Sequence, residues 1–122
     1  MRDPQWAPLS CTTAGIWEID PAWVEENLHS VTVLDVREPS EWEGPLGRIP
    51  GAVLIPLGQL PGRTNEVSGV KPIVAVCRSG ARSAQATQML REAGFKKVAN
   101  LPGGMMRWRA EGRPVESARA ES

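Results

Sequence analysis

The sequence predicts an α/β domain in which short parallel strands alternate with helices. Four short runs rich in aliphatic residues are apolar on both faces, as strands covered by helices on both sides are. Helical patterns lie between these runs. The 12 glycines and 11 prolines indicate many short elements joined by turns, which disfavours a helical bundle.

The chain of 122 residues has the length of one compact domain. Residues 1–14 carry no apolar period and are expected to form a flexible arm, residues 15–114 the folded domain, and residues 115–122 a frayed tail. No apolar run has the length of a signal-peptide core or a membrane span, and two cysteines cannot form a disulfide framework. We therefore expect a soluble cytoplasmic protein.

The first elements are predicted from capping residues and β-branched runs. Asp20 and Pro21 have the form of an N-cap followed by proline at the first helical position, which predicts a helix over residues 20–28. The apolar run 31–36 is a predicted buried strand, and residues 53–55 have the same character.

The second half of the chain repeats this alternation. Residues 72–77 form a predicted strand, and residues 97–101 form a weaker one. Between them, residues 83–93 give the clearest helical pattern, which stops at Gly94 in a C-capping position. The last helix is predicted to run from residue 104 to residue 111.

Cys77 stands where a functional site is expected. The strand 72–77 ends at this cysteine, a short loop containing Gly80 follows, and a helix is expected to begin near Arg82 or Ser83. Ligands of open α/β sheets collect at the carboxyl ends of the strands. The loop N–H groups and the N-terminus of the helix both favour an anion at this point.

Two arginines, Arg78 and Arg82, add positive charge beside Cys77, and the loop contains no acid. Cationic neighbours and a helix N-terminus lower the pKa of a thiol, so we predict that Cys77 is a thiolate nucleophile. A buried structural cysteine is the alternative, because free cysteines are among the most buried residues. The strand end, the glycine and the arginines favour the nucleophile.

The zero net charge of the chain is a cancellation, because residues 1–43 carry −7 and residues 44–109 carry +8. The neutral total argues against a protein that coats nucleic acid. The positive segment contains the Cys77 loop and is suited to a small anion.

Four motifs in order resemble the single-domain rhodaneses. The resemblance covers roughly residues 15–114 and rests on residues 34–38 (LDVRE) with Glu41-Trp42, residues 47–52 (GRIPGA) with Ile55-Pro56, the Cys77 loop, and residues 101–104 (LPGG) with Trp108. It implies about five parallel strands flanked by helices on both faces, and a cysteine that accepts and donates a sulfane sulfur. Arg48 stands where that family commonly has histidine.

The resemblance implies sulfur transfer, and Arg78 and Arg82 favour an anionic donor such as thiosulfate over mercaptopyruvate. We therefore expect a thiosulfate sulfurtransferase. Cys77 would take the outer sulfur of thiosulfate or glutathione persulfide and pass it to cyanide or a thiol. We assign substrate binding and support to the following residues: Arg78, Ser79, Gly80, Ala81 and Arg82 for binding, and Asp35, Arg37 and Ser83 for support. No metal or cofactor is expected, and the expected partners are the small-molecule donor and acceptor, or a protein that generates persulfides or accepts sulfur. Neither nucleic acid nor membrane is an expected partner.

Several alternatives remain open at this stage. A rhodanese-like persulfide carrier or interaction module would turn over little small-molecule substrate, and the intact Cys77 disfavours its purely structural form. Phosphatases of similar architecture place five residues between cysteine and arginine, whereas four separate Cys77 from Arg82. Arg82 could instead be tied to a nearby carboxylate. For Asp35 we favour a structural carboxylate that caps backbone or binds Arg37, and for Cys11 an incidental thiol over a sulfur relay.

Overall fold

The computed structural model describes residues 6–117. The strands of this part of the chain are β1 (Leu9–Cys11), β2 (Trp17–Ile19), β3 (Thr32–Asp35), β4 (Val53–Leu54), β5 (Ile73–Val76) and β6 (Val98–Asn100). Its α-helices are α1 (Pro21–Glu26), α2 (Pro39–Trp42), α3 (Ala81–Glu92) and α4 (Gly104–Ala110). Short 3-10 helices occupy Leu28–Ser30, Leu57–Gly62 and Thr64–Glu66. The predicted α/β class is confirmed.

One sheet holds these six strands, in the order β1-β2-β6-β5-β3-β4. All neighbours are parallel except β1 and β2, which are antiparallel. In the registers on either side of β5, Asp35 is opposite Val76 and Asn100 is opposite Ala75. The carboxyl ends of β3, β5 and β6 therefore meet at one edge of the sheet, around Cys77.

The two faces of the sheet bury separate apolar clusters. Along β5, Val74 and Val76 belong to one cluster, while Ile73, Ala75 and Cys77 belong to the other. This is the alternation of a strand covered on both sides. The first cluster includes residues of α1 and α4, and the second includes residues of α3. Helices on both faces of the sheet were predicted, and the structure confirms them.

The sheet has one strand more than the expected five, because residues 9–11 form β1 and are not part of a flexible arm. Leu9 is opposite Ile19 in the antiparallel pair. Three residues are too few to show an apolar period, and an edge strand is held by backbone hydrogen bonds that do not depend on one. The rest of the predicted arm at residues 1–5 lies outside the described residues.

The start of the predicted frayed tail is also held in place. Val115 packs on the first core cluster. Arg48 and Glu116 exchange two backbone hydrogen bonds of 2.9 and 2.7 Å in an antiparallel bridge. The two paired residues are far apart in the sequence, so no local pattern predicts the bridge. Residues 118–122 lie outside the described part of the chain.

The helix starts follow their capping residues. The Asp20 carboxylate accepts the N–H of Ala22 at 3.0 Å, as the predicted N-cap requires, and α1 then ends earlier than expected, at Glu26. Helix α3 begins at Ala81, slightly before the predicted start, because Gly80 occupies its N-cap with φ of 109°. Among residues 6–117 we find no helix with the length and apolar character needed to cross a membrane.

Candidate active site

Cys77 lies directly after β5 in the middle of the sheet, and the residue is 1% exposed. Its Sγ accepts the N–H of Gly80 at 3.0 Å and the N–H of Ser83 at 3.3 Å. The Ser83 hydroxyl lies 3.3 Å from the same sulfur. The loop thus closes back over its own cysteine, and backbone donors converge on the sulfur.

These contacts set the charge of the sulfur. Burial alone raises the pKa of Cys77, because a buried site disfavours the thiolate. Hydrogen bonds from the Ser83 hydroxyl and from the N–H groups of Ser83, Gly80 and Ser79 act in the opposite direction and lower the pKa of Cys77 below that of an ordinary thiol. The N-terminus of α3, which is 12 residues long, faces the same loop. The geometry therefore favours the thiolate that the sequence predicted.

The N-terminus of α4 holds the Cys77 loop from the other side. The N–H of Met105 donates to the Cys77 carbonyl at 2.8 Å, and the N–H of Met106 donates to the Arg78 carbonyl at 3.0 Å. Gly104 permits this approach: a Cβ there would collide with the Cys77 carbonyl oxygen and lie 2.6 Å from that of Arg78. Gly104 thus allows the start of α4 to hold the Cys77 loop through these two hydrogen bonds.

Asn100, at the carboxyl end of β6, is a polar neighbour of the site that the sequence analysis missed. Its Oδ1 lies 2.5 Å from the Ser83 hydroxyl, and its Nδ2 donates to the Gly80 carbonyl at 3.3 Å. Asn100 is 2% exposed and Ser83 is fully buried. A polar residue at a strand end was visible in the sequence, but only the strand order shows that β6 is next to β5.

Arg82 is paired with a carboxylate of α2. Its guanidinium donates two hydrogen bonds to Glu41, of 2.7 and 2.8 Å, so the alternative of a helix-start residue tied to a carboxylate describes what the structure shows. The hydrogen bond from Arg82 holds the pKa of Glu41 at about 2, although burial opposes this. Glu41 therefore offsets one of the two positive charges that the loop sequence places beside Cys77.

Arg78 is the exposed cation of the loop. No ion pair or hydrogen bond holds its guanidinium within the described part of the chain. Ser79 and Ala81 are also exposed, while Gly80 is half-buried and gives its N–H to the sulfur. The solvent side of the loop thus consists of small residues and one available arginine.

Asp35 and Arg37 form a buried ion pair at the end of β3. Their side chains are 0% and 1% exposed, and Arg37 Nη2 lies 2.8 Å from Asp35 Oδ2. Arg37 also donates to the carbonyls of Gly47 and Glu41, at 2.8 and 3.2 Å. This is the structural arrangement that we favoured for Asp35. Arg37 contacts the backbone of Glu41, the residue that holds Arg82.

The remaining candidates lie apart from the sulfur. Arg48 places its guanidinium 4.5 Å from the centre of the Trp42 ring. Trp108 is fully buried in the core. Cys11 is exposed on β1, and β2 and β6 separate β1 from β5 in the sheet, so it does not join the Cys77 site.

The fold and site define an α/β domain with a cysteine-loop centre: a parallel sheet with a cysteine at the carboxyl end of its central strand, enclosed by a loop that leads into a helix N-terminus. The chain belongs to the rhodanese-like family, since the family model for the rhodanese-like domain matches residues 20–111. The resemblance inferred from the four motifs is confirmed.

Several relatives share this domain. A sulfurtransferase of Allochromatium vinosum is 37% identical over 101 residues, covering 80% of this chain and 92% of its own length. The crystal structure of a rhodanese-related protein from Thermoplasma volcanium has a TM-score of 0.74 and 34% identity, covering 80% of this chain and 94% of its own. A Rhodopseudomonas palustris protein described as a possible tyrosine phosphatase has a TM-score of 0.68 and 30% identity, covering 79% of this chain and 78% of its own.

Other relatives are longer than this chain. The uncharacterised Bacillus subtilis protein YqhL is 46% identical over 76 residues, which are 62% of this chain and 59% of YqhL. YrkF of the same organism is 44% identical over 79 residues, which are 65% of this chain and 42% of YrkF. The match thus spans about half the length of these two proteins.

Proposed function

We propose that this domain is a sulfurtransferase, in which Cys77 accepts a sulfane sulfur from thiosulfate, or a related anionic donor such as glutathione persulfide, and passes it to cyanide or a thiol. The observation that carries the proposal is the convergence of N–H donors on Cys77 Sγ at the carboxyl end of β5. The sulfurtransferase of Allochromatium vinosum, which matches over most of its length, supports the same chemistry.

In the first step the Cys77 thiolate attacks the outer sulfur of thiosulfate. A new S–S bond forms, the old S–S bond breaks, and sulfite leaves with the electron pair of that bond. Cys77 becomes a persulfide. No general base is required, because the thiolate is already formed when the donor arrives.

In the second step an acceptor nucleophile attacks the outer sulfur of the persulfide. The Cys77 sulfur leaves as thiolate, and a thiocyanate or a new persulfide departs. The N–H groups of the loop and the N-terminus of α3 are suited to the terminal anionic sulfur of the intermediate, as an oxyanion hole is to an oxygen. The four-residue spacing to Arg82 suits one sulfur atom better than a phosphoryl group.

Donor recognition falls to Arg78 in this proposal. Sequence reasoning assigned the donor to both Arg78 and Arg82, but Arg82 is already held by Glu41 through two hydrogen bonds. The exposed guanidinium of Arg78 has donors available for the sulfonate oxygens of thiosulfate. We also propose a reducing location such as the cytoplasm, where a thiolate nucleophile remains reduced.

A persulfide carrier for a protein partner is the second candidate. The name of the relative YrkF, a putative sulfur carrier protein, favours it. A carrier would form the same persulfide but release its sulfur slowly to cyanide or glutathione.

Intact-protein mass spectrometry after treatment with thiosulfate tests the proposal. The chain should gain the mass of one sulfur atom on Cys77, and cyanide should remove it with release of thiocyanate. Cys11→Ser should behave as wild type, while Cys77→Ser should gain nothing. Failure of wild type to form a persulfide with either thiosulfate or glutathione persulfide refutes both candidates. A persulfide on Cys77 that cyanide does not discharge would favour the persulfide carrier over the sulfurtransferase.

Hydrolysis of an aryl phosphate tests the remaining phosphatase alternative. The short loop predicts no hydrolysis above that of Cys77→Ser. Turnover that depends on Cys77 would instead favour the activity suggested for the Rhodopseudomonas palustris protein.

A further inference from the structure

The Ser83 hydroxyl lies between two groups that both accept hydrogen bonds. It is 3.3 Å from Cys77 Sγ and 2.5 Å from Asn100 Oδ1. A serine hydroxyl carries only one proton, so it cannot donate to the sulfur and to the amide oxygen at the same time. Ser83 and Asn100 are both buried, so these groups have to pair with each other and with the nearby loop.

The side-chain amide of Asn100 can face Ser83 in two ways. With Oδ1 towards Ser83, the hydroxyl donates to Asn100, Nδ2 donates to the Gly80 carbonyl, and the Ser83 oxygen is left to accept the S–H of a protonated Cys77. With the amide turned over, Nδ2 donates to the Ser83 oxygen. The hydroxyl proton is then directed to the Cys77 thiolate.

The turn replaces one long hydrogen bond, that of Nδ2 to the Gly80 carbonyl, with a contact between Asn100 Oδ1 and the same carbonyl oxygen. Asn100 Nδ2 is 3.3 Å from the Gly80 carbonyl, and that carbonyl also accepts the N–H of Ala84 at 3.1 Å within α3. Gly80 therefore keeps a partner after the amide has turned. With Oδ1 towards Ser83, the Ser83 oxygen and the sulfur are two acceptors facing each other once Cys77 is a thiolate. The turn moves that unfavourable contact from the charged sulfur to the neutral Gly80 carbonyl.

We infer that Asn100 is a positioning residue whose side-chain amide turns over when Cys77 loses its proton, so that the Ser83 hydroxyl donates to Asn100 beside the thiol and to Sγ beside the thiolate. The inference concerns the nucleophile of the proposed sulfur transfer and rests on that function for its significance. Asn100 contacts neither donor nor acceptor. It acts through Ser83.

Two substitutions separate the states. Asn100→Asp is an acceptor only, so it holds the Ser83 proton permanently and adds a negative charge near the sulfur. The pKa of Cys77 should then rise by one unit or more. At a pH below the Cys77 pKa of both wild type and variant, this is about a tenfold loss of thiolate. Asn100→Leu is similar in size and leaves the proton free for the sulfur, so the pKa of Cys77 should stay within about half a unit of wild type or fall.

The pH dependence of iodoacetamide alkylation of Cys77, in a Cys11→Ser background, gives this pKa without any sulfur transfer. Thr87→Val is the matched control, because Thr87 is buried on α3 and donates to the Ser83 carbonyl but not to the sulfur. The charged groups near Cys77 are Arg78, Arg82 with its partner Glu41 on α2, and the Asp35–Arg37 pair at the end of β3. All of them remain in place in each variant.

The proposal is overturned if Asn100→Asp and Asn100→Leu raise the pKa of Cys77 equally, since that indicates only a disturbed core. It is also overturned if the shift in Asn100→Asp is unchanged by Ser83→Ala, because the hydroxyl would then have no part in it. A reduced shift in the double variant supports the proposal. The sulfur-transfer proposal fails separately, if wild type has a reactive thiolate but forms no persulfide.

A spectroscopic measurement follows the amide itself. The chain contains three asparagines, Asn27, Asn65 and Asn100, so their side-chain 15N–1H signals can be assigned by substitution. The Asn100 signal should move with the same pH midpoint as Cys77 alkylation, and Cys77→Ser should abolish the movement. An Asn100 signal that does not move as Cys77 titrates would refute the turn of the amide.

Discussion

Replacement of Gly104 by alanine measures how strongly α4 holds the Cys77 loop. Gly104 has φ of 57° and sits where a Cβ would collide with the Cys77 carbonyl oxygen and lie 2.6 Å from the Arg78 carbonyl oxygen. Those two carbonyls accept the N–H groups of Met105 and Met106. Because backbone atoms surround the new methyl group, the loop or the helix has to move as a unit.

The cost can be estimated from these contacts. An alanine in the left-handed region costs ~1 kcal/mol relative to glycine. Lengthening the two clamp hydrogen bonds removes about 1 kcal/mol for each of them. Gly104→Ala should therefore lower the free energy of unfolding by ~3 kcal/mol, a large part of the roughly 5–15 kcal/mol of a typical domain.

Gly112→Ala is the matched control for backbone strain. Gly112 also has a left-handed φ, of 73°, but a Cβ there meets nothing within 4 Å. It should cost only the conformational part, ~1 kcal/mol. The steric argument thus predicts a difference of ~2 kcal/mol between two substitutions of the same kind in and after the same helix.

Urea denaturation followed by tryptophan fluorescence gives both free energies. Equal slopes with different midpoints would show that the difference lies in stability. Equal losses in the two variants would refute the idea that Gly104 is required for the clamp. Persulfide formation should also slow in Gly104→Ala and not in Gly112→Ala, since only the first moves the Cys77 loop.

Three further predictions concern the charges around the site. Arg37→Met should cost ~3–5 kcal/mol by urea denaturation because it leaves Asp35 buried without a partner, and a second change, Asp35→Leu, should restore much of the loss. The folded pKa of Glu41, about 2, lies below the usual 4.5, so its ion pair stabilises the fold above pH 4.5 and this contribution disappears as pH falls towards 2. Because the pair is partly exposed, the contribution is ~1 kcal/mol, and Glu41→Gln should remove this pH dependence from the unfolding free energy. Arg78→Ala should raise the KM for thiosulfate roughly tenfold and leave alkylation by neutral iodoacetamide unchanged, whereas equal effects on both would show a change in the sulfur and not in donor binding.

Local sequence patterns were sufficient to predict the strand and the helix that position Cys77. The strand before Cys77 and the helix after it were predicted within a few residues, because a fully apolar run and a capped helical period leave few alternatives. Strand β1 was missed because Leu9–Cys11 is three residues at a sheet edge, with no period to detect. The bridge of Arg48 to Glu116 was missed because its partners are far apart in the sequence.

Partners of the site residues could not be predicted in the same way. The sequence placed Arg82 beside Cys77 but gave no means of seeing that Glu41, 41 residues earlier, neutralises it. Asn100 reaches Ser83 only because β6 is next to β5 in the sheet. Strand order, which decides both contacts near the sulfur, is a property of the packed sheet and not of any segment.

The pairing of Arg82 changes the physical account of the nucleophile. The loop sequence places two cations, Arg78 and Arg82, beside Cys77, but Arg82 is offset by Glu41 and Arg78 is exposed at the loop surface. What remains close to the sulfur is neutral: the N–H groups of Gly80 and Ser83 and one hydroxyl. Neutral dipoles stabilise a negative sulfur without forming an ion pair with it. No ion pair then has to break when the outer sulfur is transferred to an acceptor. In the proposed mechanism the same donors therefore stabilise the thiolate before attack and the outer sulfur after it, as the transfer of one sulfur atom in two steps requires.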